Sequence, residues 1–175
     1  MVQHSLSELR VVEIRWDGPI SVEDVLRTAN HEADYGVYQL YGTHNVLGPD
    51  TLLYIGKVEA NTFAERIASH AAEWIDWEAS PIRVYLGRLG GLVPAQKIGG
   101  EWKNWEDGIS RAERLLIYFC APPYNSQGLK SHGVTNPTVV LNYHRRHRLP
   151  VEVSTLYDTS SYSTQREQWK TFTTD

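Results

Sequence analysis

The residues of this sequence most able to do chemistry lie in two short tyrosine-containing phrases, Gly36-Val37-Tyr38 and Tyr54-Ile55-Gly56. Each phrase lies in a run that is typical of a β-strand. A phenol can hold a proton beside a phosphate and, when it is activated, can accept one. Because tyrosine is common in strands, the phrases indicate a site only if other elements bring suitable partners to them.

A helix predicted over residues 62–77 supplies a basic face. Thr62 is a candidate N-cap, and Glu65, three residues later, completes a capping box. Arg66 and His70 are four residues apart and therefore share one face of this helix. That face lies beside the apolar stripe, so both side chains could reach over the sheet edge toward the tyrosines. The guanidinium of Arg66 carries a fixed fork of donors suited to phosphate oxygens.

Three further polar residues could complete such a site. Lys57 directly follows the second phrase and could lower the pKa of a phenol or neutralise a phosphate. Glu113 lies in the first turn of a helix predicted over residues 110–120. One such carboxylate can hold Mg²⁺ while the other positions of the ion stay with water and phosphate oxygens. Asn125 follows the Pro-Pro pair that stops this helix. Simpler explanations stay open, since Glu113 could form a capping box with Ser110 and Asn125 could be a turn residue.

Together these residues resemble the GIY-YIG nuclease family. The matching positions span about half of the chain and are Gly36-Val37-Tyr38, Tyr54-Ile55-Gly56, Lys57, Arg66, His70, Glu113 and Asn125. The resemblance implies that a tyrosine is the general base and that His70 supports it or the phosphate. It also implies that Glu113 binds Mg²⁺ or Mn²⁺ and that Asn125 braces the site by hydrogen bonding. Which of the two tyrosines takes the proton stays open.

The predicted fold class is α/β, in the α+β sense, with a GIY-YIG-like small central sheet of three mainly antiparallel strands flanked by helices. Hydrophobic patterns predict these strands at residues 36–42, 51–58 and 81–89. Turn residues between the first two strands predict a long hairpin loop over residues 43–50. The stretch 90–107, which is interrupted by glycine and proline, is predicted to be irregular.

The whole chain, 1–175, is predicted to be one domain. It has an N-terminal extension at residues 1–35, a nuclease core at 36–125 and a C-terminal extension at 126–175. The N-terminal extension contains a predicted strand at 9–16 and a helix that begins at Ser21 and fades near Ala33. The C-terminal extension contains a predicted strand at 138–143.

Composition indicates an ordinary soluble globular protein of 175 residues, with 41% hydrophobic and 22% charged residues. A net charge of −4 argues against coating of nucleic acid through overall charge but allows a local basic groove. The single cysteine, Cys120, excludes an intrachain disulfide and a cysteine-based zinc site, and its apolar neighbours indicate a buried core thiol. Because neither a membrane-spanning run nor a signal-peptide pattern is present, a cytoplasmic protein with no membrane partner is expected.

Candidate DNA contacts lie in the long insert between His70 and Glu113 and after the last predicted strand. The side chains there that could reach base edges or phosphates are Arg88, Gln96, Lys97, Lys103, Asn104, Arg145, Arg146 and Arg148. The last three could equally be solvated surface. Four tryptophans are expected in the core rather than in a stacking platform, namely Trp74, Trp77, Trp102 and Trp105. A zinc site at His144 and His147 is not expected, because no second pair of ligands is evident.

The sequence thus predicts a Mg²⁺-dependent endonuclease that hydrolyses phosphodiester bonds of double-stranded DNA. The spacings from Arg66 to His70 and from Glu113 to Asn125 look most like the type II restriction endonuclease branch, so a cognate DNA methyltransferase could accompany this protein. Cutting both strands of a palindrome usually needs two active sites related by symmetry, and a homodimer is therefore expected. Two alternatives are a structure-selective or repair-type nuclease and a non-catalytic nucleic-acid-binding module of the same fold.

Overall fold

The computed structural model describes residues 9–78, 80–90, 102–144 and 149–157, and for residues 102–104 it describes the backbone alone. Within these ranges the strands and α-helices are, in chain order, β1 (Arg10–Ser21), α1 (Val22–Leu26), β2 (Gly36–His44), β3 (Gly48–Val58), α2 (Phe63–Glu73), β4 (Arg83–Leu89), α3 (Trp102–Cys120), β5 (Thr138–Tyr143) and β6 (Glu152–Ser154). Two short 3-10 helices cover Ile75–Trp77 and Thr155–Tyr157. In these ranges no helix is both long and apolar enough to cross a membrane.

All six strands form one sheet in the order β3-β2-β4-β1-β5-β6. Neighbouring strands are antiparallel except β1 and β5, which run parallel. The prediction of a small three-stranded sheet is therefore wrong, because both terminal extensions add strands to the sheet. β1 pairs along β4, with Trp16 opposite Gly87, and covers backbone groups that would otherwise form an exposed edge. Hydrophobic alternation predicted a strand in each extension, but alternation does not identify the partner of a strand.

Each face of the sheet packs against one long helix. Because side chains alternate along a strand, Tyr38 and Leu40 of β2 point to the face covered by α2, whereas Val37 and Tyr41 point to the face covered by α3. The apolar residues that the helices contribute are Phe63 and Ile67 from α2, and Ile109, Ala112, Leu115 and Leu116 from α3. The tyrosine phrases therefore lie in the packed centre of the molecule, between two helices.

The first helix is shorter than predicted. It begins as expected, because Oγ of Ser21 accepts the N–H of Asp24 at 3.1 Å. It ends at Leu26 rather than near Ala33. The side-chain oxygen of Asn30 accepts the N–H of Ala33 at 3.2 Å, and this local turn replaces the helical hydrogen bonds.

α3 is longer than predicted, since it begins at Trp102 within the stretch that was expected to be irregular. Trp105 and Ile109 in its first turns pack against the apolar core, and this burial outweighs the glycine in the same turns. Glu113 consequently lies in the middle of the helix rather than in its first turn. The capping-box explanation for Glu113 is wrong, because Ser110 is itself inside the helix.

The hairpin between β2 and β3 is tighter than predicted. The two strands extend toward each other until only residues 45–47 form the tip, so the expected long loop is wrong. Nδ1 of His44 accepts the N–H of Val46 at 3.3 Å and of Leu47 at 3.2 Å, which closes the tip. Pro49 indicated a loop in the sequence, but an edge strand tolerates a proline because its outer side needs no ladder hydrogen bond.

The predicted capping box of α2 is confirmed. Oγ1 of Thr62 accepts the N–H of Glu65 at 3.2 Å, and Oε2 of Glu65 accepts the N–H of Thr62 at 2.8 Å. The helix ends at Glu73, and a 3-10 turn at Ile75–Trp77 continues the chain. Trp77 is 84% exposed, so the expectation of a core position is wrong for this residue.

Candidate active site

The two tyrosines lie side by side on the face of the sheet that α2 covers. In the pairing of β2 with β3, Tyr38 is opposite Gly56 and Leu40 is opposite Tyr54. The ring centroids of the two tyrosines are 6.1 Å apart. Tyr38 is fully buried, whereas Tyr54 is half-buried and is the more accessible of the two tyrosines.

The glycines of both phrases are required by close approaches. A Cβ at Gly56 would lie 2.3 Å from the hydroxyl oxygen of Tyr38, so a side chain at this position would displace the Tyr38 ring. Gly36 has a φ of +146°, and a Cβ there would lie 2.0 Å from the carbonyl oxygen of Gly87 in β4. The first glycine thus permits the pairing of β2 with β4, and the second permits the position of the phenol.

His70 joins the two tyrosines from α2. Its Nε2 lies 2.7 Å from the Tyr38 hydroxyl in a buried hydrogen bond, and its ring centroid lies 4.8 Å from that of Tyr54. Burial, followed by the charge of Arg66, lowers the pKa of His70, so the imidazole is neutral at pH 7. The Tyr38 O–H then donates to Nε2, and Nδ1 carries the ring proton. The Glu73 carboxylate lies 3.4 Å from Nδ1 but is not aligned for a hydrogen bond with it. Nδ1 has no hydrogen-bond partner among the described residues.

Neither phenol ionises at neutral pH through its surroundings alone. Burial is the largest cause and raises the pKa of both Tyr38 and Tyr54. The carboxylate of Glu113 raises both values further, whereas the guanidinium of Arg66 lowers both. The neighbouring Tyr38 hydroxyl also lowers the pKa of Tyr54. A tyrosine that accepts a proton here must therefore pass its own proton to a neighbour.

Lys57 is held in place by two residues that were not among the predicted site residues. Its Nζ donates to Oε1 of Glu59 at 2.7 Å and to Oγ of Ser110 at 2.6 Å, and the Ser110 hydroxyl donates to the same Glu59 oxygen at 2.7 Å. We call Lys57, Glu59 and Ser110 the lysine clamp. It ties the end of β3 to α3. Strand alternation places Lys57 and Glu59 on one face and was the available signal for the pair.

Glu113 lies within range of charges on both helices. Burial, followed by the charge of Glu59, raises the pKa of Glu113 to about 7, against lowering contributions from Lys57, Arg114 and Arg66. Lys57 belongs to the clamp on the α3 side, whereas Arg66 belongs to α2. Glu113 is therefore within electrostatic range of residues on both sides of the sheet, and its helix contacts the edge strand β3.

Asn125 braces the outer edge of β3. Its Nδ2 donates to the carbonyl of Ile55 at 2.8 Å, and its Oδ1 accepts the N–H of Ile55 at 2.9 Å. The backbone N–H of Tyr124 donates to the carbonyl of Leu53 at 2.9 Å. Asn125 thus pairs with the backbone N–H and carbonyl of Ile55 as a neighbouring strand would. It thereby fixes the β3 backbone between Tyr54 and Gly56.

Most of the candidate DNA contacts lie outside the described residues, namely Gln96, Lys97, Arg145, Arg146 and Arg148, and so does His147. The side chains of Trp102, Lys103 and Asn104 are also outside the description. Arg88 is held within the fold, because it donates to the buried carboxylate of Asp34 at 3.2 Å and lies 5.5 Å from the ring centre of Phe63. Cys120 is partly buried, and burial raises the pKa of its thiol to about 12, so it is not a nucleophile.

Mg²⁺ and a closed metal cage would each require a different set of ligands around the carboxylate of Glu113. Within the described ranges no group of three or more His, Cys, Asp and Glu side chains could hold a metal ion. Mg²⁺ does not need such a group, since proteins bind it through one or two carboxylates and leave its other positions to water and phosphate. The raised pKa of Glu113, caused by burial and by the Glu59 charge, marks a carboxylate that a divalent cation would stabilise.

Comparison of the chain with protein-family models, curated proteins and solved structures gives no match. What the site can do must therefore follow from its own geometry. That geometry combines a neutral histidine bonded to a phenol, a second phenol on the accessible side, a guanidinium, a held ammonium and a carboxylate with a raised pKa.

Proposed function

We propose that this protein is a Mg²⁺-dependent endonuclease of the GIY-YIG type that hydrolyses DNA phosphodiester bonds as a site-specific type II restriction endonuclease. The observation that carries the proposal is the buried hydrogen bond of 2.7 Å between Tyr38 and His70, with Tyr54 beside both rings. It provides a route for a proton away from the accessible side of the site. Phosphodiester hydrolysis needs such a route, because the attacking water must lose a proton.

Tyr54 accepts the proton of the attacking water in this mechanism. As its phenol takes that proton, its own O–H proton passes to the Tyr38 oxygen, and the Tyr38 proton passes to Nε2 of His70. The products of this transfer are hydroxide and an imidazolium, and the carboxylate of Glu73, 3.4 Å from Nδ1, stabilises the new charge. Tyr54 is assigned to the water because it is half-buried, whereas Tyr38 has no exposed surface.

The charged residues act on the phosphate and the metal. Arg66 lies within range of both phenols and of His70, and its fork of donors binds the non-bridging phosphate oxygens. Glu113 would hold Mg²⁺, and the bound ion supplies charge neutralisation on the phosphate and assistance to the departing 3′ oxygen. Lys57, fixed by the clamp, keeps a positive charge beside Glu113.

The direct test is digestion of plasmid and phage DNA by the purified protein with and without Mg²⁺. Discrete fragments are the expected result, and nicking without discrete fragments would support the structure-selective alternative instead. No cleavage over a wide range of salt refutes the proposal, and binding that Glu113→Gln leaves unchanged would then support the non-catalytic module. The matched control is Glu32→Gln, which changes an exposed carboxylate in the segment between α1 and β2.

The roles of the two tyrosines are tested by Tyr54→Phe and Tyr38→Phe. Both variants remove a hydroxyl from the proton route, so each should lose about 10²–10⁴-fold in kcat. Tyr54→Phe should retain the fold, because Tyr54 is only half-buried and the substitution keeps its ring. Equal and slight losses in both variants, at unchanged DNA affinity, would rule out a tyrosine as the proton acceptor.

We further propose that the enzyme acts on double-stranded DNA as a homodimer. Two copies related by a twofold axis present two equivalent sites to the two strands of a palindrome. Sedimentation of the protein with and without a cognate duplex measures the assembly. A monomer on DNA that still cuts both strands in one binding event would contradict the dimer.

A further inference from the structure

Arg114 carries a guanidinium that has no hydrogen-bond or ion-pair partner among the described residues. It follows Glu113 on α3, is exposed, and makes no ion pair or hydrogen bond with the part of the chain that the structure describes. Its charge nevertheless lies near enough to lower the pKa of Glu113. Arg111, one turn earlier, is different, because its Nε donates to Asp107 at 2.8 Å and its Nη1 to Thr138 at 3.4 Å. Arg111 is therefore structural, whereas Arg114 is available to a ligand.

The Arg114 side chain lines an open cleft of about 510 Å³ between α3 and residues 133–135. Glu59 and Ser110 of the lysine clamp also line this cleft, so it borders the candidate active site directly. Gly133 faces the Arg114 guanidinium, since a Cβ built on it would lie 4.0 Å from Nη1 of Arg114. Because glycine has no side chain, the cleft wall at this point consists of backbone. The cleft thus has room beside the guanidinium, and it shares Glu59 and Ser110 with the lysine clamp.

The charge of the cleft favours an anion at its Arg114 end. Three carboxylates also line it, but the charge of Glu59 is met by Lys57 and that of Asp107 by Arg111. The third, Glu106, precedes Arg114 by eight residues and therefore lies about 12 Å away along the helix axis. At that distance across water its effect on an anion at Arg114 is largely screened.

We propose that Arg114 binds a phosphate of the substrate strand next to the scissile phosphate, with the strand leaving the active site along this cleft. The inference rests on the proposed nuclease function, which makes the ligand a nucleic-acid backbone. Arginine suits this role because its planar fork of donors binds phosphate oxygens in pairs and stays charged at every working pH. A contact to a phosphate beside the cleaved bond positions the strand without taking part in the chemistry.

The test is the salt dependence of DNA binding by Arg114→Ala, measured by fluorescence anisotropy of a labelled duplex in EDTA, so that cleavage is not required. The slope of log K against log salt should fall by about one relative to the wild-type chain, and Kd at low salt should rise roughly 5- to 10-fold. KM should rise and kcat should stay unchanged. Arg114→Lys, which keeps the charge, should retain the slope.

Arg27→Ala is the matched control, because it removes an exposed arginine on α1 whose partners are surface carboxylates, and its slope should equal that of the wild-type chain. An unchanged slope for Arg114→Ala, in a protein that binds and cuts DNA, refutes this inference and leaves the nuclease function intact. A weaker Kd with an unchanged slope refutes it as well. A wild-type chain that neither binds nor cuts DNA overturns the proposed function together with this inference.

Discussion

Replacing Glu113 by glutamine should stabilise the metal-free protein at alkaline pH while it abolishes cleavage. Burial, followed by the charge of Glu59, raises the pKa of Glu113 from 4.5 to about 7. A difference of one pKa unit corresponds to about 1.36 kcal/mol, so the ionised carboxylate destabilises the folded state by about 3 kcal/mol. The glutamine side chain has nearly the same shape and carries no charge, and it does not have this cost.

The sign of the pH dependence follows from the raised pKa. The folded protein binds the Glu113 proton more tightly than the unfolded chain does, so stability is lost as the pH rises from 4.5 to about 7. Glu113→Gln should therefore gain under about 1 kcal/mol at pH 5 and about 3 kcal/mol at pH 8. For a chain of this size the second value corresponds to a rise in Tm of roughly 6–12 °C.

The assay is urea unfolding followed by tryptophan fluorescence in EDTA, for wild type and variant at both pH values. Glu106→Gln, exposed on the same helix, is the matched control for the loss of a carboxylate. Mg²⁺ at ten times its Kd should stabilise the wild-type protein by about 1.4 kcal/mol at pH 8 and leave Glu113→Gln unchanged. A Glu113→Gln variant that is no more stable than the wild type at pH 8 in EDTA would refute the raised pKa of this carboxylate. Equal stabilisation of wild type and variant by Mg²⁺ would refute its role as the metal ligand.

Three further substitutions test the supports of the site. Gly56→Ala should cost about 1–3 kcal/mol in urea unfolding and reduce cleavage, because the added methyl group overlaps the Tyr38 hydroxyl; unchanged stability would contradict the close approach. Asn125→Ala should cost about 2–4 kcal/mol, since it removes two hydrogen bonds from the β3 backbone; a loss under about 0.5 kcal/mol would show that this edge needs no brace. Ser110→Ala should lower kcat about 10-fold at unchanged KM, because it removes one of the two hydrogen bonds that hold the Lys57 ammonium in place. Ser110→Thr should keep wild-type activity, because it retains the hydroxyl. If Ser110→Ala lowers kcat as much in a Lys57→Met variant as in the wild-type chain, the lysine clamp is contradicted.

The α2 part of the site was predictable because it depends on local structure. The capping box at Thr62 fixes where α2 begins, and helical spacing then fixes Arg66 relative to His70. Strand patterns likewise placed Tyr38 and Tyr54 on strands. The sheet as a whole was not predictable in the same way. The strands that the extensions add, β1, β5 and β6, are defined by pairings with distant segments, and a single sequence shows alternation without showing partners.

The α3 part was predicted less well because it depends on contacts between distant segments. Glycines before Ser110 indicated irregular structure, whereas the packing of Trp105 and Ile109 against the sheet extends the helix back to Trp102. Because the helix begins earlier, Ser110 lies in its interior rather than at its cap. There its hydroxyl accepts a hydrogen bond from Lys57, which is 53 residues earlier in the sequence. Local patterns offered a capping role for Ser110, and tertiary packing overrode it.

The position of the added strands explains why the candidate site can remain at a sheet edge. All three extension strands lie beyond β4, on the side away from β3. A strand added to β3 instead would pair with the backbone at Ile55, which Asn125 already satisfies through a side chain. It would also separate Glu113 on α3 from Tyr54 and Arg66 on the α2 side. Growth at the opposite edge therefore enlarges the sheet and its core while it leaves β3 free to carry residues of both faces into one site.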